Sequence, residues 1–125
     1  MSENAEADFE RLQVVVGAKL RQAEFSLEKI NSEIRKKKAV LTEFKRRFSQ
    51  TPPVQGDATY AAFAAGKRES LRREIAEVAD ALASLEAAQL TNRNAVSRLY
   101  CQDEALKSMV RSIREEHRRS KSRGP

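Results

Sequence analysis

Few side chains in this sequence could carry out covalent or acid–base chemistry, and their spacing keeps them apart. His117 is the only histidine and Cys101 the only cysteine. A structural or catalytic zinc needs a spaced set of such ligands, and no such set exists here. A lone thiol cannot close an internal disulfide, so nothing points to an oxidising compartment. Cys101 reads as a small packing residue and His117 as a structural or solvated side chain on a seam edge. The adjacent acids Asp103-Glu104 and Glu115-Glu116 would point in different directions on a helix and cannot share a substrate. No glycine-rich phosphate loop is present. No catalytic, cofactor-binding or metal-binding residue is therefore assigned, no cofactor is expected, and the chain reads as something other than an enzyme.

The elements that carry these residues follow from composition. The chain has 125 residues, which suits one domain. Of these, 34% are charged and 6% aromatic, with no Trp. A chain of this size must bury well over half of its unfolded surface to form a compact globule, and so many charges leave little to bury. Disorder is disfavoured as well, because Ala, Leu, Val and Ile are plentiful while Gly and Pro are scarce. This is the composition of long helices. No apolar run approaches the roughly 20 residues of a membrane span. The start, Met1-Ser2-Glu3-Asn4, lacks the basic and apolar regions of a secretory signal. A soluble cytoplasmic protein is expected.

The only cluster of helix breakers runs from Ser49 to Asp57 and contains Pro52, Pro53 and Gly56. Adjacent prolines stop a helix, and Asp57 or Thr59 can cap the next one. The predicted layout is a helix over 5–48, a loop over 49–57, a helix over 58–119 and a tail over 120–125. The first helix carries a stripe of Phe9, Leu12, Val16, Leu20, Ala23, Leu27, Ile30, Ile34, Lys37, Leu41, Phe44 and Phe48. Its steps alternate three and four, apart from consecutive fours at Leu12, Val16 and Leu20, which predict a stutter. The second helix repeats without a break through Leu71, Ile75, Val78, Leu82, Leu85, Gln89, Asn92, Val96, Leu99, Asp103, Leu106, Val110, Ile113 and His117. Its four polar positions cost stability and specify register. Acid-before-base pairs four apart support the exposed faces: Glu33–Lys37, Glu43–Arg47, Glu69–Arg73, Asp103–Lys107 and Glu115–Arg119. Gly17 and Gly66 are weak points.

Two apolar stripes joined by a short loop should face each other. The expected fold is all-α, a long antiparallel two-helix coiled-coil hairpin whose second helix is the longer. At 1.5 Å per residue the helices would be roughly 65 Å and roughly 90 Å long. Folding at Pro53 would set Phe9 opposite Val96 and leave the chain from about Tyr100 to Ile113 overhanging. Its seam, with Leu106, Met109, Val110 and Ile113, stays apolar. Such a stripe is covered by another protein, or its last turns fray, or two hairpins pair end to end.

Charge is unevenly distributed. Net charge is −3 over residues 1–34, +8 over 35–73, −4 over 74–106 and +5 over 107–125. The basic turn end and tail could hold nucleic acid or an anionic membrane surface. Phe44, Phe48, Tyr60 and Phe63 flank the turn at helical spacing, not splayed for base stacking. They either plug the tip of the hairpin or form a docking surface with their flanking arginines.

The segments Leu41-Thr42-Glu43-Phe44-Lys45-Arg46-Arg47-Phe48 and Thr59-Tyr60-Ala61-Ala62-Phe63, followed by Leu71 and Ile75, resemble the FliJ/YscO family. These are the central-stalk proteins of flagellar and virulence type III export machines. The run through Arg68-Glu69-Ser70-Leu71-Arg72-Arg73 favours the flagellar branch. The resemblance implies a stalk that enters the hexameric export ATPase ring with its terminal ends. It also implies contact with the cytoplasmic domain of the export gate near the turn. Export chaperones are implied partners, specific nucleic acid is not, and attachment to the inner membrane's cytoplasmic side is peripheral, through partners. Carried onto this chain, the gate contact falls on Leu41, Phe44, Phe48 and Phe63, with Lys37 and Lys67 departing from the family's usual polar-amide or apolar side chains. The ATPase-ring contact falls on Phe9, Leu12, Leu106, Met109, Val110 and Ile113. A generic coiled-coil adaptor or secretion chaperone, and an RNA- or membrane-surface binder acting through the basic tip, are the alternatives.

Overall fold

The structure is a computed structural model that describes residues 2–51 and 57–124, with the backbone alone at residues 2 and 3. It is all-α: helix α1 spans Ser2–Gln50 and helix α2 spans Ala58–Ser122, packed against each other. The helices therefore extend a few residues beyond the predicted 5–48 and 58–119. Pro52, Pro53 and Gly56 of the breaker cluster lie outside the described residues.

Both helix ends facing the turn are closed by side chains. Thr51 donates its backbone N–H to the Arg47 carbonyl at 3.1 Å, and its hydroxyl donates to the same oxygen at 2.9 Å. These bonds satisfy a carbonyl of the last turn that would otherwise lack a partner. At the start of α2 the Tyr60 N–H donates to Asp57 Oδ1 at 2.8 Å. Asp57, not Thr59, is the N-cap, a device worth about 1 kcal/mol.

The inner faces follow the heptad. Every predicted seam position of α2 from Leu71 to His117 is buried or half-buried. In α1 one position departs: Leu12 is 50% exposed, whereas its neighbour Gln13 is half-buried. With Gln13 in place of Leu12 the spacing from Phe9 to Phe48 alternates four and three throughout. The predicted stutter is therefore absent, because a helix face is chosen by its angle and not by the most apolar residue nearby. An apolar and a polar residue were open at this turn, and the uninterrupted repeat takes the polar one.

The packing divides into two compact units. The terminal unit comprises Met1–Leu27 and Thr91–Pro125; the turn unit comprises Glu28–Leu90.

In the terminal unit Leu20 and Val110 are buried. Arg114 of α2 donates to Glu10 Oε1 at 2.6 Å and to Glu6 Oε1 at 3.0 Å. The start of α1 therefore lies beside residues 110–117 of α2, and Phe9 does not lie opposite Val96. The overhang expected between Tyr100 and Ile113 does not exist. Asp103, at 7% exposed, sits on the seam and is held by Lys107 Nζ at 3.0 Å.

In the turn unit Ile34, Ala64 and Leu71 are buried. Gln89 Nε2 donates to Asn31 Oδ1 at 2.7 Å across the helix pair, satisfying two half-buried amides. The Arg68 guanidinium lies 4.5 Å from the Phe48 ring centroid. At the start of α2 the faces differ: Ala64 is buried and Ala61 half-buried, whereas Tyr60 and Phe63 are 45% and 69% exposed.

Candidate interaction surfaces

The gate residues implied by the resemblance all lie in the turn unit. Leu41, Phe44 and Phe48 are half-buried on the seam of α1, whereas Phe63 is 69% exposed on α2. Arginines dress the two α1 rings. Arg68 and Arg72 approach Phe48 at 4.5 and 5.9 Å, and Arg47 approaches Phe44 at 5.9 Å. Such stacking holds planar cations on apolar surface without removing them from water. Phe63 and Tyr60 instead line an open cavity of about 580 Å³ between the end of α1 and the start of α2, with Arg47 and Lys67 on its rim and Ala64 and Leu71 among its lining. Lys37 is half-buried on the seam, and Lys67 is exposed.

A charged cluster stiffens the end of α1. Glu43 accepts from Arg46 Nη2 at 2.6 Å and Nε at 3.0 Å, and from Arg47 Nε at 3.2 Å. The Arg46 fork, followed by Arg47, holds the Glu43 carboxyl well below the usual carboxylate range, at about 2. The same contact raises the Arg46 pKa. Of the five predicted acid-before-base pairs, Glu43–Arg47, Glu69–Arg73 and Asp103–Lys107 form. Glu33 pairs instead with Lys36, three residues on.

The ATPase-ring residues implied by the resemblance all lie in the terminal unit, but they differ in access. Val110 is buried, and Phe9, Leu106 and Ile113 are half-buried. Leu12 and Met109 are the two that present apolar surface to solvent, at 50% and 48%. Val14, Val15, Phe25 and Tyr100 of the same unit are exposed as well. Reading the sequence for one seam missed these four, since each lies off that stripe. A second count of apolar residues on the outer faces would have found them.

The residues with chemical potential occupy different environments. His117 Nδ1 lies 3.6 Å from Glu6 Oε2. Cys101 is an exposed free thiol and not the small packing residue expected, because it lies two positions before the seam residue Asp103 and so off the inward face. The adjacent acids Asp103 and Glu104 diverge as expected, one buried and one exposed, and Lys107 reaches both. Its bond to Asp103 raises the Lys107 pKa. Among the described residues no group of three or more His, Cys, Asp or Glu side chains is placed to hold a metal ion. Among them, too, no helix is long and apolar enough to cross a membrane.

No protein-family model, curated protein or solved structure matches this chain.

Proposed function

We propose that the chain is a stalk protein of a type III protein export apparatus, of the FliJ/YscO kind and nearer its flagellar branch. In this reading it works in the cytoplasm, peripheral to the inner membrane, and joins the export ATPase ring to the cytoplasmic domain of the export gate. The observation that carries the reading is the aromatic group of the turn unit. Phe44 and Phe48 are half-buried under arginines, while Phe63 of the Thr59–Phe63 segment that carries the resemblance stands in solvent. A ring that contributes so little to its own fold is suited to a partner, and aromatic side chains near arginines are typical anchors.

In the same reading Leu12 and Met109 are the ring-facing contacts of the terminal unit. They combine exposure with apolar surface, whereas Val110 supports the packing beneath. The protein performs no reaction of its own and acts through the partners it joins.

The test is a pair of surface variants on the full chain. Phe63→Ala should weaken capture by the gate domain at least about tenfold while helix content stays unchanged, the usual scale of a hot spot. Leu12→Glu with Met109→Glu should reduce stimulation of the export ATPase. Wild-type capture and wild-type stimulation by these variants would overturn the reading.

A further inference from the structure

We infer that the turn unit also carries a docking surface for an anionic lipid bilayer, with the start of α2 as its apolar tip and a belt of bases behind it. This inference stands independently of the export reading.

The apolar part is the outer face of the first turns of α2, whose inner face carries the buried Ala64. Residues 58–66 of α2 contain no charged side chain in a chain that is 34% charged. Tyr60 and Phe63 on this segment are exposed. Exposed rings on an uncharged helical segment suit the headgroup boundary, where an aromatic body meets hydrocarbon and a polar edge meets water.

Bases begin where the segment ends. Lys67 and Arg68 come first, then Arg72 and Arg73, with Lys45 at the neighbouring end of α1. Lys67 lies four residues beyond Phe63, about 6 Å along the helix. With the start of α2 as the tip, rings at the headgroup boundary leave these bases about one turn behind, within reach of the phosphates. Among the described residues neither Lys45 nor Lys67 forms an ion pair, so their charge is not spent internally. Net charge over residues 35–73 is +8. Bases of this kind are drawn to an anionic surface, and the charge complementarity selects lipid over a neutral apolar partner. Asp57, the acid nearest the tip, is engaged as the cap of α2.

The experiment uses the full-length protein and two vesicle types, phosphatidylcholine alone and phosphatidylcholine with about a quarter phosphatidylglycerol. Flotation should recover the protein with the anionic vesicles only, and raising salt from about 0.1 M to about 0.5 M should release it, as screening shortens. Lys45→Glu with Lys67→Glu should weaken binding at least about tenfold. The chain lacks Trp, so Phe63→Trp supplies a single reporter whose emission should shift to the blue on anionic vesicles. Arg118→Glu with Arg119→Glu should leave binding unchanged. Equal recovery on neutral vesicles, no recovery on either type, or an unshifted Trp spectrum would overturn the inference. So would loss of binding through the α2 tail variants, or retention on RNA without binding to vesicles. Circular dichroism of each variant separates lost binding from lost folding. Phe63→Ala should weaken vesicle binding as well; intact vesicle binding by this variant would overturn the inference, whatever its effect on gate capture.

Discussion

Arg114 on α2 and Glu10 on α1 lie 104 residues apart in sequence, and their side chains meet at 2.6 Å, where the guanidinium also holds Glu6. This bridge places the first turns of α1 against the last part of α2. It raises the Arg114 pKa, chiefly through the bond to Glu10 and then through the bond to Glu6. Arg114 itself is largely exposed, so the pair acts more as a marker of register than as a store of stability.

A double-mutant cycle on Arg114→Ala and Glu10→Ala should accordingly give a small coupling. Exposed pairs contribute about 0.2–1 kcal/mol and weaken with salt. Urea unfolding at low and high ionic strength measures it. A coupling well above this range, unaffected by salt, would show that the bridge is shielded from solvent.

Asp103 behaves in the opposite way, because it occupies a buried seam position. Asp103→Leu should raise stability by about 1–2 kcal/mol, as apolar replacement of a buried charge often does. Its partner Lys107 is partly exposed and remains solvated when the carboxylate is gone. Thermal unfolding reads the change; a lower melting temperature would mean that Asp103 is needed for the packing itself.

Gly66 offers a simpler gain. It lies within α2, and a Cβ there would meet no atom within 4 Å. Gly66→Ala should stabilise the protein by about 1 kcal/mol through helix propensity alone. A rise in melting temperature with unchanged spectra at 25 °C is the expected result.

The cluster at the end of α1 makes stability pH-dependent. The folded-state pKa of Glu43 is depressed from 4.5 to about 2 by Arg46 and Arg47. A depressed carboxylate contributes in full above its unfolded value, and the contribution fades as pH falls toward the folded value. The difference in stability between wild type and Glu43→Gln should therefore be constant above pH 4.5 and shrink between 4.5 and about 2. An NMR titration of the Glu43 side chain should inflect near the lower value. An inflection at the ordinary position would break the link to the arginines.

The helices and their inner faces were legible in the sequence because they are local. Composition, the breaker cluster and the heptad of α2 each depend on residues a few positions apart, and all the α2 seam residues from Leu71 to His117 turn inward. The aromatic group could be found by the same reading, although which ring would stand exposed could not. Phe48 and Phe63 look alike in sequence; one is half-buried and covered by Arg68, and the other stands in solvent.

Register was left to tertiary structure, and the reason is the repeat itself. Sliding one heptad stripe along another by whole heptads again sets apolar residues against apolar residues, so periodicity specifies a face without specifying a partner. The polar contacts that break this degeneracy join distant positions: Asn31 with Gln89 in the turn unit, and Glu6 and Glu10 with Arg114 in the terminal unit. The sequence by itself determined two helices, their inward faces and the uneven charge along them. Only the packing decided that Gln13 turns inward in place of Leu12, and that Ala64 is buried while Phe63 beside it stands in solvent. Cross-helix complementarity of size and charge chooses among registers that the heptad alone leaves equal.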